Sequence, residues 1–198
     1  ALFTAGLAAS LRANVAGDLQ KIFLDPIDPA HSAEMIGAIL GVAFLGFAFT
    51  IAIGSPLLDA IGMAIMLPSA GIFFILGTLI FLFAGNLGSG PGVYNVLWGA
   101  AVVTGIGWGL VETVINPLTA ALYTSDKTAR LNTLHAWWPG GLIIGGLAGL
   151  ALDGMGASWQ VKLGVTLIPA VAFLILTIGT KFPPTERAAS GIPASKMF

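Results

Sequence analysis

The chain has 198 residues, of which 57% are apolar and only 9% charged, with a net charge of −1 and a mean hydropathy of +0.95. A soluble domain carries about a quarter charged residues, so that class is excluded, and the missing basic excess excludes nucleic acid as a partner. The absence of Cys rules out disulfides and thiolate metal sites, and the two His lie too far apart for metal-ligand spacing, so no metal or cofactor is expected.

Six apolar runs are long enough to cross roughly 30 Å of hydrocarbon at 1.5 Å per residue. They cover about 1–23, 35–56, 61–84, 94–123, 134–152 and 161–180. They are several times longer than barrel strands, and only helices then satisfy the backbone in lipid. The expected fold is an all-α, polytopic six-helix transmembrane bundle over 1–182, followed by a cytoplasmic linker or tail over 183–198. Arg12 and Asp18 interrupt the first run, making it the weakest. Residue 1 is Ala and lacks a basic flank, so the native start is expected to be missing, and no cleavable signal is recognisable.

Span two ends in GSPLLDAIG, with Gly54, Asp59 and Gly62, and span five ends in GLALDGMG, with Asp153 and Gly156. The same D-x-x-G closes the second helix of each set of three. Three is odd, so the second copy runs with opposite topology, which predicts a 3+3 inverted repeat. Short turns also favour Asp and Gly on their own account.

Span four carries the chemistry. Trp108, Glu112, Asn116, Thr119 and Tyr123 recur at helical spacing on one stripe, and Pro117 predicts a kink beside Asn116. An ionisable group at that depth calls for a partner or a proton. Arg12 is the candidate partner, and His135 a second neighbour. Two readings stand, a buried Arg12–Glu112 pair that fixes helix register and a proton and solute pathway. Trp137 and Trp138 read either as interfacial belt residues or as a stacking platform for a sugar ring. In span five, Gly141, Gly145 and Gly149 form one flat face, as do Gly105 and Gly109 in span four, and both are expected to pack helices closely.

Lys127 and Arg130 in the loop after span four, with Lys181, Arg187 and Lys196 in the tail, place that loop and both termini in the cytoplasm by the positive-inside rule. No nucleophile–base pair or phosphate loop is present, so an enzyme is not expected.

The string ETVINPLTAALYTSDKTARLNTLHAWWPGG, Glu112 to Gly141, resembles the helix four to helix five region of fucose permease-like sugar transporters of the major facilitator superfamily, with E-T-x-x-N-P and a cytoplasmic turn ending in Arg130-Leu131-Asn132. GSPLLDAIG is similar to the superfamily's loop between helices two and three, although Ala60 and Met63 stand where basic residues are usual. The resemblance implies a secondary, proton-coupled sugar symporter in a bacterial-type inner membrane. Together with the span-four stripe it marks a candidate pathway through Glu112, Asn116, Arg12, Asn14, Trp108, Asn132, His135 and Trp138, with Arg130 and the signature loop coupling to conformation. The family's acidic residue on helix one falls near Arg12, Ala13 and Asn14, and its Asn on helix five falls at Trp138, so only the Glu112 half of two-carboxylate coupling carries over. Six helices correspond to one half of a transporter. The chain is therefore expected to be an amino-terminal half that acts with a carboxy-terminal six-helix half in the lipid bilayer on a small polar solute. The alternative is a transporter-derived accessory subunit of a larger membrane complex.

Overall fold

A computed structural model of the chain describes residues 1–191; Lys196 and the rest of the expected tail from 192 onward lie outside the described residues. The helices are α1 (Leu2–Asn14), α2 (Ala16–Leu19), α3 (Ser32–Ile61), α4 (Met63–Leu82), α5 (Ala84–Leu87), α6 (Gly92–Leu122), α7 (Lys127–Gly154), α8 (Trp159–Gly164), α9 (Leu167–Thr177) and α10 (Glu186–Ala189), with a π turn at Gln20–Leu24.

Among the described residues, four segments are long and apolar enough to cross a membrane: α3, α4, α6 and the α8–α9 unit. The other two expected spans differ for local reasons. Span one breaks at Val15, between α1 and α2. Span five lies in α7, whose stretch after the polar turns KTARLNT still carries His135, Trp137, Trp138, Pro139 and several glycines, and it is not among these four. Span six is interrupted at Val165 and Thr166, where the Thr166 hydroxyl bonds the Leu163 carbonyl at 2.7 Å and the Thr78 hydroxyl of α4 at 3.2 Å. α3 runs past its expected end at residue 56 to Ile61, whereas α6 continues through Pro117 to Leu122 and so fills the expected 94–123 run.

Residues 62, 123–126 and 181–191 gather at one end of the bundle, here called the tail end. There Asp59 pairs with Arg187, and Lys127 pairs with Glu186. At the opposite end Lys162 of α8 reaches Asp18 and Asp153. The packing repeats in pairs, α1 lying along α7 as α6 lies along α3. Exchanging spans one and five for four and two maps one pair onto the other, as the inverted repeat requires. Both D-x-x-G turns use a glycine at positive φ, Gly62 at 88° and Gly156 at 68°, a conformation that side chains disfavour.

Glycines set these pair distances. A Cβ on Gly141 would lie 2.3 Å from the Phe3 carbonyl oxygen, and one on Gly105 would lie 2.1 Å from the Ala43 carbonyl oxygen. Gly145 faces Leu7 and Ser10, and Gly149 lies under the Asn14 side chain. Two apolar clusters complete the core. One, around Leu19, Ile39, Phe81, Leu97 and Trp159, lies toward the opposite end, and one, around Leu58, Met66, Val111, Val114 and Phe173, lies toward the tail end.

Candidate functional site

The α6 stripe is present, but it serves two cavities rather than one. Trp108 opens onto a cavity of about 200 Å³ between α1, α3, α6 and α7, shared with Arg12 and Trp138. Glu112 and Asn116, farther toward the tail end, line a second cavity of about 460 Å³ with Ser55, Asp59, Thr185 and Arg187.

The expected Arg12–Glu112 pair is not formed. Arg12, only 9% exposed, donates from Nη1 to the Thr104 hydroxyl, which donates onward to the Ala101 carbonyl at 2.8 Å. Thr104 and Glu112 are eight residues apart on one helix, about 12 Å along its axis. Arg12 meets α6 about two turns short of the carboxylate.

His135 does not join Glu112 either. Its Nε2 lies 2.9 Å from Asn116 Oδ1, one turn along from Glu112, and ties the start of α7 to the end of α6. Thr119 is buried, and Tyr123 lies under the Arg130 guanidinium at 4.8 Å from the ring centroid. Arg130 is thus held at the α6–α7 turn, while Asn132 is exposed on the first turns of α7.

The two adjacent tryptophans face opposite ways. Trp137 is 59% exposed on the outer surface. Trp138 turns inward and lies parallel to Trp108, with ring centroids 6.0 Å apart and planes 9° apart. Phe44 and Phe47 of α3 pack against Trp108 at 5.4 and 4.1 Å. Both indole N–H groups are buried without a hydrogen-bond acceptor among the described residues.

Asn14 is drawn away from the cavity. Its amide donates to Asp153 Oδ2 at 2.9 Å, and Asp153 accepts from Lys162 Nζ at 2.6 Å, which also reaches Asp18 at 2.9 Å. This buried lysine ties spans one, five and six together, and in the sequence it stands unmarked at the edge of an apolar run. The D-x-x-G element at Asp153 was its available signal.

At the tail end, the loop that lacks basic residues at Ala60 and Met63 receives one from elsewhere in the chain. Arg187 pairs with Asp59, and Thr185 donates its hydroxyl to the same carboxylate. Thr185 also caps α10, accepting from the Ala188 N–H at 3.1 Å. Gly54 sits opposite the Thr113 side chain, where α3 and α6 close on each other.

Residues 10–185 match the family described as sugar (and other) transporters. Among curated relatives, monosaccharide-sensing proteins 2 and 3 of Arabidopsis thaliana are 27% and 25% identical over 72% and 71% of this chain, and the matches cover 19% and 18% of those proteins. Among solved structures, the inward-open xylose transporter XylE from E. coli superposes with a TM-score of 0.74 at 18% identity, covering 99% of this chain and 52% of that one. A D-xylose-proton symporter gives 0.73 at 18%, covering 99% and 50%. The chain therefore spans about half the length of the solved transporters whose fold it shares and about a fifth of the curated relatives.

Proposed function

This chain belongs to the sugar (and other) transporter family, and on that premise we propose that it is the amino-terminal six-helix half of a secondary transporter for a sugar or similar polar solute. The observation that carries the reading is the polar α6 face, which places Trp108, Glu112 and Asn116 against two cavities inside the bundle instead of against lipid. In a family whose solute site lies between two six-helix halves, such a face belongs to the solute path. The parallel Trp108 and Trp138 rings supply apolar faces for a pyranose, and their unpaired N–H groups supply donors.

Glu112 is the proton-coupling group in this reading. It lies within the tail-end cavity that also holds the Asp59–Arg187 pair. A proton taken up there changes the charge beside the contact that clamps the tail beneath α3. Binding and conformation are linked by such differential charge contacts. The tail-end loops carry Lys127, Arg130, Lys181 and Arg187, which supports a cytoplasmic assignment for that end and for both termini in an inner membrane. The E-T-x-x-N-P string supports a place near the fucose permease-like branch, and a carboxy-terminal half closes the solute site from the other side.

Solute counterflow in proteoliposomes tests the reading. The full-length native polypeptide should exchange labelled sugar against an internal pool of the same sugar. A chain of this size found by intact mass in a fixed-stoichiometry membrane assembly, with no exchange, would replace the reading with that of an accessory subunit.

A further inference from the structure

The cavity between α1, α3, α6 and α7 offers hydrogen-bond donors and no side-chain acceptor. Arg12 carries five N–H donors, and among the described residues only one hydrogen bond leaves it, to the Thr104 hydroxyl. The ion pairs of the described residues join His31, Lys127, Lys162 and Arg187 to carboxylates, and none joins Arg12. Trp108 and Trp138 contribute two further buried donors without acceptors, and the remaining lining side chains are Ala, Leu and Phe.

A neutral sugar presents only hydroxyls, which can accept from these donors but bring no negative charge to the Arg12 guanidinium, and each hydroxyl it places here adds a proton with no acceptor on this wall. A carboxylate accepts only, at two oxygens, in the fork geometry of a guanidinium. A cation within the hydrocarbon span also gains most from an opposite charge. The geometry points to an anionic solute, a sugar acid whose carboxylate pairs with Arg12 while the indole N–H groups of Trp108 and Trp138 donate to its ring and hydroxyl oxygens. This rests on the reading of the bundle as half of a sugar transporter and names the solute class that its cavity takes.

The test is equilibrium binding to the full-length native protein in mild detergent, with radiolabelled glucuronate and glucose as matched probes that differ only at the terminal carbon. Glucuronate should bind at least about tenfold more tightly than glucose, the scale of one charge-assisted pair. Arg12→Gln should erase that preference, and Arg12→Lys, which keeps the charge but not the fork, should retain part of it. Glucose binding as tightly as glucuronate to the unaltered protein overturns the inference and leaves the sugar-transporter reading standing. So does a glucuronate preference that survives Arg12→Gln, since a group other than Arg12 then holds the carboxylate. Binding of neither probe overturns both.

Discussion

Replacing Gly141 with Ala tests whether helix approach is set by missing side chains. The new Cβ would sit 2.3 Å from the Phe3 carbonyl oxygen and 2.9 Å from the Leu7 nitrogen, both backbone atoms that cannot swing aside. A carbon needs a little over 3 Å there, so α1 and α7 must part by roughly 1 Å. A gap of that size forfeits about a quarter to a half of each dispersion contact along the seam, and overpacked sites cost about 1–3 kcal/mol. Gly140, the preceding residue, faces open space and is the internal control. Its change to Ala adds no clash and removes a poor helix former, worth up to about 1 kcal/mol in a helix. That gain is common to both positions and cancels, so the two adjacent variants should differ by the clash alone, about 1–3 kcal/mol, in reversible unfolding of the full-length protein in mixed detergent–SDS micelles, Gly141→Ala being the weaker. Equal stability, within about 0.5 kcal/mol, would refute the close α1–α7 seam.

The inverted repeat extends the same reasoning to α6, where Gly105→Ala should destabilise by a comparable amount and Gly99→Ala, with nothing within 4 Å, should not. Lys162→Gln should cost about 1–3 kcal/mol in the same unfolding assay. It strands Asp18 and Asp153, and the half-exposure of both carboxylates keeps the loss below the cost of breaking a fully buried pair. In the loop after span one, the hydrogen bond from His31 holds the exposed Asp28 carboxyl below its ordinary value of 3.8. A depressed carboxylate stabilises the fold above that ordinary value and loses the contribution as pH falls through the lowered one. Accordingly, His31→Ala should move the Asp28 titration upward toward 3.8, as read by carboxylate-resolved NMR; no movement would show that the contact is not made.

The all-helical class was legible because apolar length dictates it, and four of the expected spans coincide with segments long and apolar enough to cross a membrane, while the paired D-x-x-G turns pointed to the repeat. Span one was harder. Arg12 and Asp18 already interrupt its apolar run, and the break falls at Val15, where no Pro or Gly announces it, while α7 begins in polar residues ahead of its apolar part. The α6 stripe followed from spacing, and Trp108, Glu112 and Asn116 do share the interior. What spacing could not supply was depth across helices. Arg12 meets Thr104 rather than Glu112 because the height of α1 is set by its seam with α7, where Gly141 and Gly145 close on Phe3, Leu7 and Ser10, and spacing along α6 carries no trace of that seam. The same limit explains Asn14, pulled to Asp153, and Asp59, whose basic partner comes from Arg187, 128 residues away.

The central claim is that this bundle is half of a proton-driven solute transporter with Glu112 as its titrating group. The most direct measurement is accumulation of labelled glucose or glucuronate by proteoliposomes of the full-length protein under an inward proton gradient, for the wild type and for Glu112→Gln. The wild type should concentrate solute and lose that ability when the gradient is collapsed. Glu112→Gln, which keeps the shape but cannot titrate, should lose concentrative uptake and retain counterflow. Accumulation by Glu112→Gln equal to the wild type would contradict the coupling role, and a wild type that neither accumulates nor exchanges solute would contradict the transporter itself.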